Sequence, residues 1–399
     1  MRAVWVPNEP VRLVRTEGAE VLGNPGLREA WTESLAGAYV PELLWRLAGR
    51  PPGEARDGVR DDNRSALLPE HRFAIRGREY VVAVKGCGAE YDAYANARLT
   101  ATALRGICRD PSLLPALAAE DGIAAGFITG ERWFGNTPYG GQAPDNAVLG
   151  LLASLRADLD EIAGFRVCPT VALVRLPDSF GRIASRFYWY RRYEGAYWQE
   201  VRLMPSNVRL YFHSPVTFGV DTARAYALFG LEDVASAEAF LGNLALSCVA
   251  ALTLYARTLR SDVRTGGYRG LAYHDVWLDK DAVIAPDGCL QFADLEGIEE
   301  TASGDAEGAR EAIRHQFYRN VYEANFALEA MAAEAMRRWN LPGGVPERRA
   351  WILDVMEKAC RADPFVRVER SGDRTVLCVE PAADPDACGV DLEWASGRT

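Results

Sequence analysis

The sequence predicts an α+β fold in two lobes, a strand-rich first half followed by a helical second half. Three observations predict it. Short apolar runs bounded by Gly, Pro and charged residues dominate up to about residue 215. From Asp221 onward Ala, Leu, Arg and Glu recur at helical spacing over 221–230, 236–261 and 308–339. With 399 residues, 49% of them hydrophobic, the chain has material for more than one core.

Residues 1–60 read as an N-terminal extension: a strand-like start, an amphipathic segment from Leu27 to Leu47, and a loop over Arg50–Gly58 rich in Pro, Gly and charge. Residues 61–215 form the strand-rich lobe. Within it Phe73–Ile75 and Tyr80–Val84 flank a polar Gly-containing turn and predict a hairpin from Arg72 to Lys85. A helix is expected over Ala89–Ile107, a Gly-rich loop over 130–142, and a second helix from Asp145 to Ile162. Val171–Leu176 is a short strand, and 183–212 is strand-rich and aromatic. Residues 216–360 form the helical lobe, interrupted by a loop and hairpin that hold His274 to Gly297. A hairpin of Phe365–Glu369 with Thr375–Val379, and a tail, occupy 361–399.

A net charge of −10 argues against a general electrostatic hold on nucleic acid or an anionic membrane, so a phosphate site has to be local. The eight cysteines form no CxxC and no zinc-like spacing, which fits a reducing cytoplasm. No apolar stretch of roughly eighteen residues is expected to cross a bilayer, and the start of the chain lacks the layout of a signal peptide. No nucleic-acid or membrane partner is expected.

Only three lysines occur among 45 basic residues, and two stand at chemically informative places. Lys85 closes the apolar run Val81–Val84 and precedes Gly86. Lys280 lies in His274-Asp275-Val276-Trp277-Leu278-Asp279-Lys280-Asp281. An ammonium is a compact charge suited to a phosphate oxygen, whereas guanidinium is a planar fork. Phosphoryl and nucleotidyl transfer need such cations on phosphate oxygens and carboxylates on Mg²⁺. Asp294 leaves an apolar strand before Leu295-Glu296-Gly297, and Asp281 lies thirteen residues upstream.

The Asp294 stretch resembles the metal-binding DFG segment of protein kinases, in the DLEG form of some small-molecule kinases. Four further matches resemble the selenoprotein-O family of pseudokinase-like adenylyltransferases. Val84-Lys85-Gly86-Cys87-Gly88 is similar to that family's LKGxG. Thr137–Gly141 with Asp145–Leu149 resembles its TPYSR…DGRAVL. Glu194-Gly195-Ala196 with Arg202-Leu203-Met204-Pro205-Ser206-Asn207-Val208-Arg209 is similar to EPGAVLTRVAPSHVRFG, both arginines keeping the spacing. His274-Asp275-Val276 is similar to HGV, where Val stands in for the kinase Asp.

The resemblance implies a bilobal protein-kinase-like fold that binds ATP and Mg²⁺ with the α-phosphate toward the acceptor, so that AMP moves to a protein or small molecule. It implies that Lys85 and Gly86 meet the phosphates and that Arg202 and Arg209 clamp them. Asp281 and Asp294 would hold the metal. An acid on the 145–162 helix, Asp158 or Glu161, would pair with Lys85. The family's TDN reads Asp279-Lys280-Asp281 here, so Lys280 occupies the base position, and a lysine there accepts a proton only with a strongly lowered pKa. Asp279 or Asp275 could serve instead, or the acceptor needs no base. The stretch between Lys85 and Thr137 is also much longer than in that family. Two rival expectations stand beside this one: a kinase of the antibiotic-phosphotransferase type, and a non-catalytic pseudokinase that binds nucleotide and a partner.

Overall fold

The computed structural model describes residues 1–6, 10–16, 18–27, 38–41, 54–61, 65–87, 144–156, 166–177, 198–210, 222–273, 281–295, 298–303, 307–308, 311–312, 327–341, 345–361, 366–371, 374–379 and 390–394. The fold is mixed α+β, built from antiparallel sheets and helices. The chain divides into two units, Met1–Leu155 with Cys168–Asn207 and Ser214–Phe218, and Arg156–Val167 with Val208–His213 and Gly219–Thr399.

The first unit is organised around eight strands: β1 (Pro10–Thr16), β2 (Glu20–Gly23), β3 (Ala38–Pro41), β4 (Ala55–Arg60), β5 (Ser65–Ile75), β6 (Arg78–Lys85), β7 (Thr170–Arg175) and β8 (Trp198–Met204). They form one curled antiparallel sheet in the order β2-β7-β8-β6-β5-β4-β1-β3. Its centre is apolar on both faces, because Val81 to Val84, Val171 to Val174 and Val201, Leu203 and Met204 are all buried. β-branched residues suit a pleated, covered strand, so the same run of Val that predicts β6 also forms its core. The β5–β6 hairpin turns at Arg76 and Gly77, both in the left-handed region with φ of 49° and 77°. That pair of positive φ values is the twist-compatible two-residue turn.

Residues 1–60 supply four strands to this sheet. The expected loop at Arg50–Gly58 is corrected at its end, where Ala55–Gly58 belongs to β4. Gly58 there lies against β5 so closely that a Cβ would meet the Leu67 carbonyl oxygen at 2.9 Å. The glycine read as a turn signal is a close-approach glycine inside a strand. One helix, α1 (Pro144–Ser154), packs its Leu151 against Leu173 and Trp198. The described helix ends at Ser154, and 157–165 lie outside the described residues. So do the expected helix over 89–107 and the loop over 130–142.

The second unit contains α2 (Thr222–Leu228), α3 (Val234–Leu252), α4 (Leu254–Thr258) and α5 (Val345–Arg361), and residues 327–338 are also helical. α3 begins at a capping box: the Asp233 carboxylate accepts from the Ser236 amide at 2.7 Å, and Ser236 Oγ accepts from the Asp233 amide at 3.2 Å. Hydrogen bonds from the Ser236 amide and hydroxyl hold the Asp233 carboxyl below its ordinary pKa. Tyr226 on α2 donates its hydroxyl to the Met331 carbonyl at 2.7 Å, and the Arg338 guanidinium stacks over its ring. Burial pushes that phenol's pKa up.

Among the described residues one helical stretch, Val234–Ala251, is long and apolar enough to cross a membrane by length and composition, and 56% of it is buried inside the unit. β9 (Arg260–Asp262), β10 (Gly267–Tyr273) and β13 (Ile298–Ser303) form one sheet, and β11 (Ala282–Ile284) pairs with β12 (Leu290–Phe292). The C-terminal hairpin forms as expected from β14 (Val366–Ser371) and β15 (Arg374–Val379), joined by an additional β16 (Val390–Trp394). α5 is an unanticipated element. It starts beyond the Pro342-Gly343-Gly344 break and has Trp351, Ile352, Val355 and Met356 at helical spacing.

Candidate functional site

Lys85 ends β6 with Ser65 on β5 and Glu200 on β8 as its direct register partners. Arg202 on β8 stands opposite Ala83 on β6 and Thr170 on β7. Side chains alternate along a strand and paired residues share a face. Ser65, Ala83, Lys85, Thr170, Glu200 and Arg202 therefore belong to one face across four adjacent strands. Lys85, Glu200 and Arg202 are 3%, 3% and 1% exposed. Taking an ion out of water costs several kcal/mol unless partners and hydrogen bonds compensate it, at roughly that level per charge.

The compensation is visible around Glu200. Thr170 Oγ1 donates to Glu200 Oε1 at 2.5 Å, and Arg202 Nη1 lies 4.0 Å from Glu200 Oε2. Arg202 Nη2 donates to Ser65 Oγ at 3.4 Å. Two small residues make the room. Ala83 faces the long Arg202 side chain, and Gly150 on α1 is so near Glu200 that a Cβ would meet Oε1 at 2.7 Å. Gly150→Ala is therefore expected to displace the Glu200 carboxylate. It should destabilise the protein by about 1–3 kcal/mol, as overpacking does, read as a lower thermal midpoint.

On the opposite face of β8, Gln199 fixes the chain that follows Lys85. Its Nε2 donates to the Gly86 carbonyl at 3.1 Å and to the Tyr39 carbonyl at 2.5 Å, while its Oε1 accepts from the Tyr39 amide at 3.0 Å. Gly86 has φ 90°, a conformation that a glycine adopts without strain. The Lys-Gly pair read in the sequence is thus a strand end with a glycine bend held by a buried amide.

The second unit carries the acidic pair. Asp294 lies thirteen positions after Asp281 in the chain, and the β11–β12 hairpin closes that distance. The Asp281 carbonyl accepts from the Ala293 amide at 2.8 Å and from the Asp294 amide at 3.1 Å. Asp281 is buried and Asp294 half-buried. At the other end of the hairpin, Gly288 with φ 87° presses on α3, the Asn243 amide donates to the Asp287 carbonyl at 2.7 Å, and Arg166 pairs with Asp287 at 3.1 Å. Arg209 bridges Val283 on β11, and Val283 faces Gln291 on β12. Among the described residues, neither polar atom of the buried Gln291 side chain has a hydrogen-bond partner.

Lys85, Gly86 and Arg202 thus belong to the first unit, with Glu200 among them, while Arg209, Asp281 and Asp294 belong to the second. Asp158, Glu161, Asp275, Asp279 and Lys280 lie outside the described residues, as do His274 and Thr137–Gly141. Among the described residues, Tyr273 pairs with Ile298, and Asp281 bonds Ala293 and Asp294.

Glu200 is the residue that sequence reasoning missed. In Gln199-Glu200-Val201-Arg202-Leu203 two charged residues alternate with apolar ones, a pattern that in sequence reads as a half-exposed strand and so hides the burial of Glu200. Comparison with protein-family models, with curated proteins and with solved structures finds no match to the chain.

Proposed function

We propose that this chain is an ATP- and Mg²⁺-dependent transferase with a bilobal kinase-like fold, similar to the selenoprotein-O family, that moves AMP to a protein or small-molecule acceptor in the cytoplasm. One observation carries the proposal: Lys85, Glu200 and Arg202 are all buried on one sheet face. Buried charges are poor stabilisers compared with packed apolar residues, so a core that retains them has another use for them. Two cations of different geometry, a point charge and a fork, suit adjacent phosphate groups.

In this reading Lys85 and Arg202 bind phosphate oxygens, and Glu200, pinned by Thr170, orients the Lys85 ammonium. It takes the part that the resemblance gives to Asp158 or Glu161. Arg209 supplies a further guanidinium. The donor set at Asp281 and Asp294 fits Mg²⁺, a hard cation that takes one or two carboxylates and fills its remaining positions with water and substrate phosphate. When bound, the metal would neutralise charge on the phosphates. Asp275 or Asp279 accepts the acceptor's proton where one has to be removed.

Parallel incubations with ATP labelled at the α- or the γ-phosphate test the reaction. The expected result is incorporation of the α-label into acceptor with none of the γ-label. Incorporation of the γ-label instead would make the chain a kinase. Transfer of neither, with ATP still raising the thermal midpoint, would leave it a nucleotide-binding protein without transferase activity.

A further inference from the structure

The β9–β10 hairpin of the second unit carries a separate charged feature. A cavity of about 560 Å³ is lined there by Arg156, Arg260, Arg264 and Arg269, with Asp262 and Glu300. Arg260 and Arg269 are direct partners across antiparallel strands, an arrangement in which like charges repel. Arg269 is compensated by Asp262 at 2.7 Å and Glu300 at 3.9 Å. Arg260 and Arg264 make no ion pair among the described residues, and both are exposed.

The turn that presents them is held by its own bonds. The Arg264 amide donates to Asp262 Oδ1 at 3.0 Å, the Gly266 amide donates to the Asp262 carbonyl at 2.8 Å, and Gly266 has φ 68°. A bond from the Thr265 side chain, aided by that Arg264 amide, holds the Asp262 carboxyl low, so it stays ionised and engaged with Arg269. The arrangement therefore leaves two guanidinium groups beside a concave wall, in a chain whose net charge is −10.

We infer that this cavity binds a small phosphorylated ligand carrying two phosphate groups, with Arg260 and Arg264 as its anion contacts. Guanidinium forks match phosphate oxygens in pairs, and two forks without an ion pair among the described residues suit two such groups. The volume suits a small molecule. The inference uses none of the residues proposed to bind ATP and stands apart from that proposal.

Amide hydrogen exchange with pyrophosphate as the probe tests it. In the wild-type protein, pyrophosphate is expected to slow exchange across 260–271. The doubly substituted Arg260→Gln/Arg264→Gln protein, whose changes are at exposed positions, is expected to keep the wild-type thermal midpoint and to lose that protection. Absence of slowing across 260–271 at saturating pyrophosphate, or equal slowing in the double variant, would overturn the assignment.

Discussion

Replacing Lys85 by methionine is expected to slow label transfer from ATP by roughly a hundredfold or more, the range for losing one preorganised charge donor in a desolvated site. Methionine keeps a flexible apolar stem of similar length and removes only the ammonium. Glu200 retains Thr170 and Arg202 as neighbours, so the sheet around the site persists. Lys85→Arg should not restore the rate, since a planar fork does not reproduce a point charge in a buried space already shared with Arg202. A purely structural lysine behaves in the opposite way: the thermal midpoint falls and transfer by the folded fraction is unchanged. Rate and midpoint measured on the same preparations separate the two.

Gly288→Ala is expected to give the largest loss of stability. An alanine at φ 87° is strained, and its Cβ would lie 2.3 Å from the Phe240 carbonyl oxygen on α3, so backbone has to move. Conformational strain and overpacking together should cost about 3–5 kcal/mol. The thermal midpoint should fall by roughly 10 °C. Gly230→Ala is the matched control: φ is 65° but nothing lies within 4 Å of the added carbon. Its cost should be only the left-handed penalty of about 1–2 kcal/mol. Because the same hairpin brings Asp281 and Asp294 together, Gly288→Ala should also weaken the dependence of transfer on Mg²⁺.

The elements that could be read from the sequence are those whose side chains and backbone requirements agree. Val81 to Val84 followed by Lys85 gives a buried strand with one charge at its end, and the Arg76-Gly77 turn fixes the hairpin behind it. The Asp281–Asp294 spacing was informative because a short hairpin with a glycine at a positive-φ position leaves few ways to connect two such residues. Strand order was not legible. Nothing local in residues 10–60 says that these strands complete the sheet that contains Lys85, because the pairings that place them are long-range. Glu200 escaped for a related reason: its partner is set by the register of β6 against β8, not by chain distance. Gly58, which falls in a predicted loop, and Gly150, which falls inside a predicted helix, both act as points of close approach in the fold.

Calorimetric titration of ATP with Mg²⁺ into the wild-type protein and into Lys85→Met tests the central claim most directly, because it needs no knowledge of the acceptor. The account predicts saturable binding by the wild-type protein that weakens by roughly tenfold or more in the variant, the effect of losing one charge-assisted hydrogen bond. Absence of binding by the folded wild-type protein, or equal affinity in the two, would contradict it.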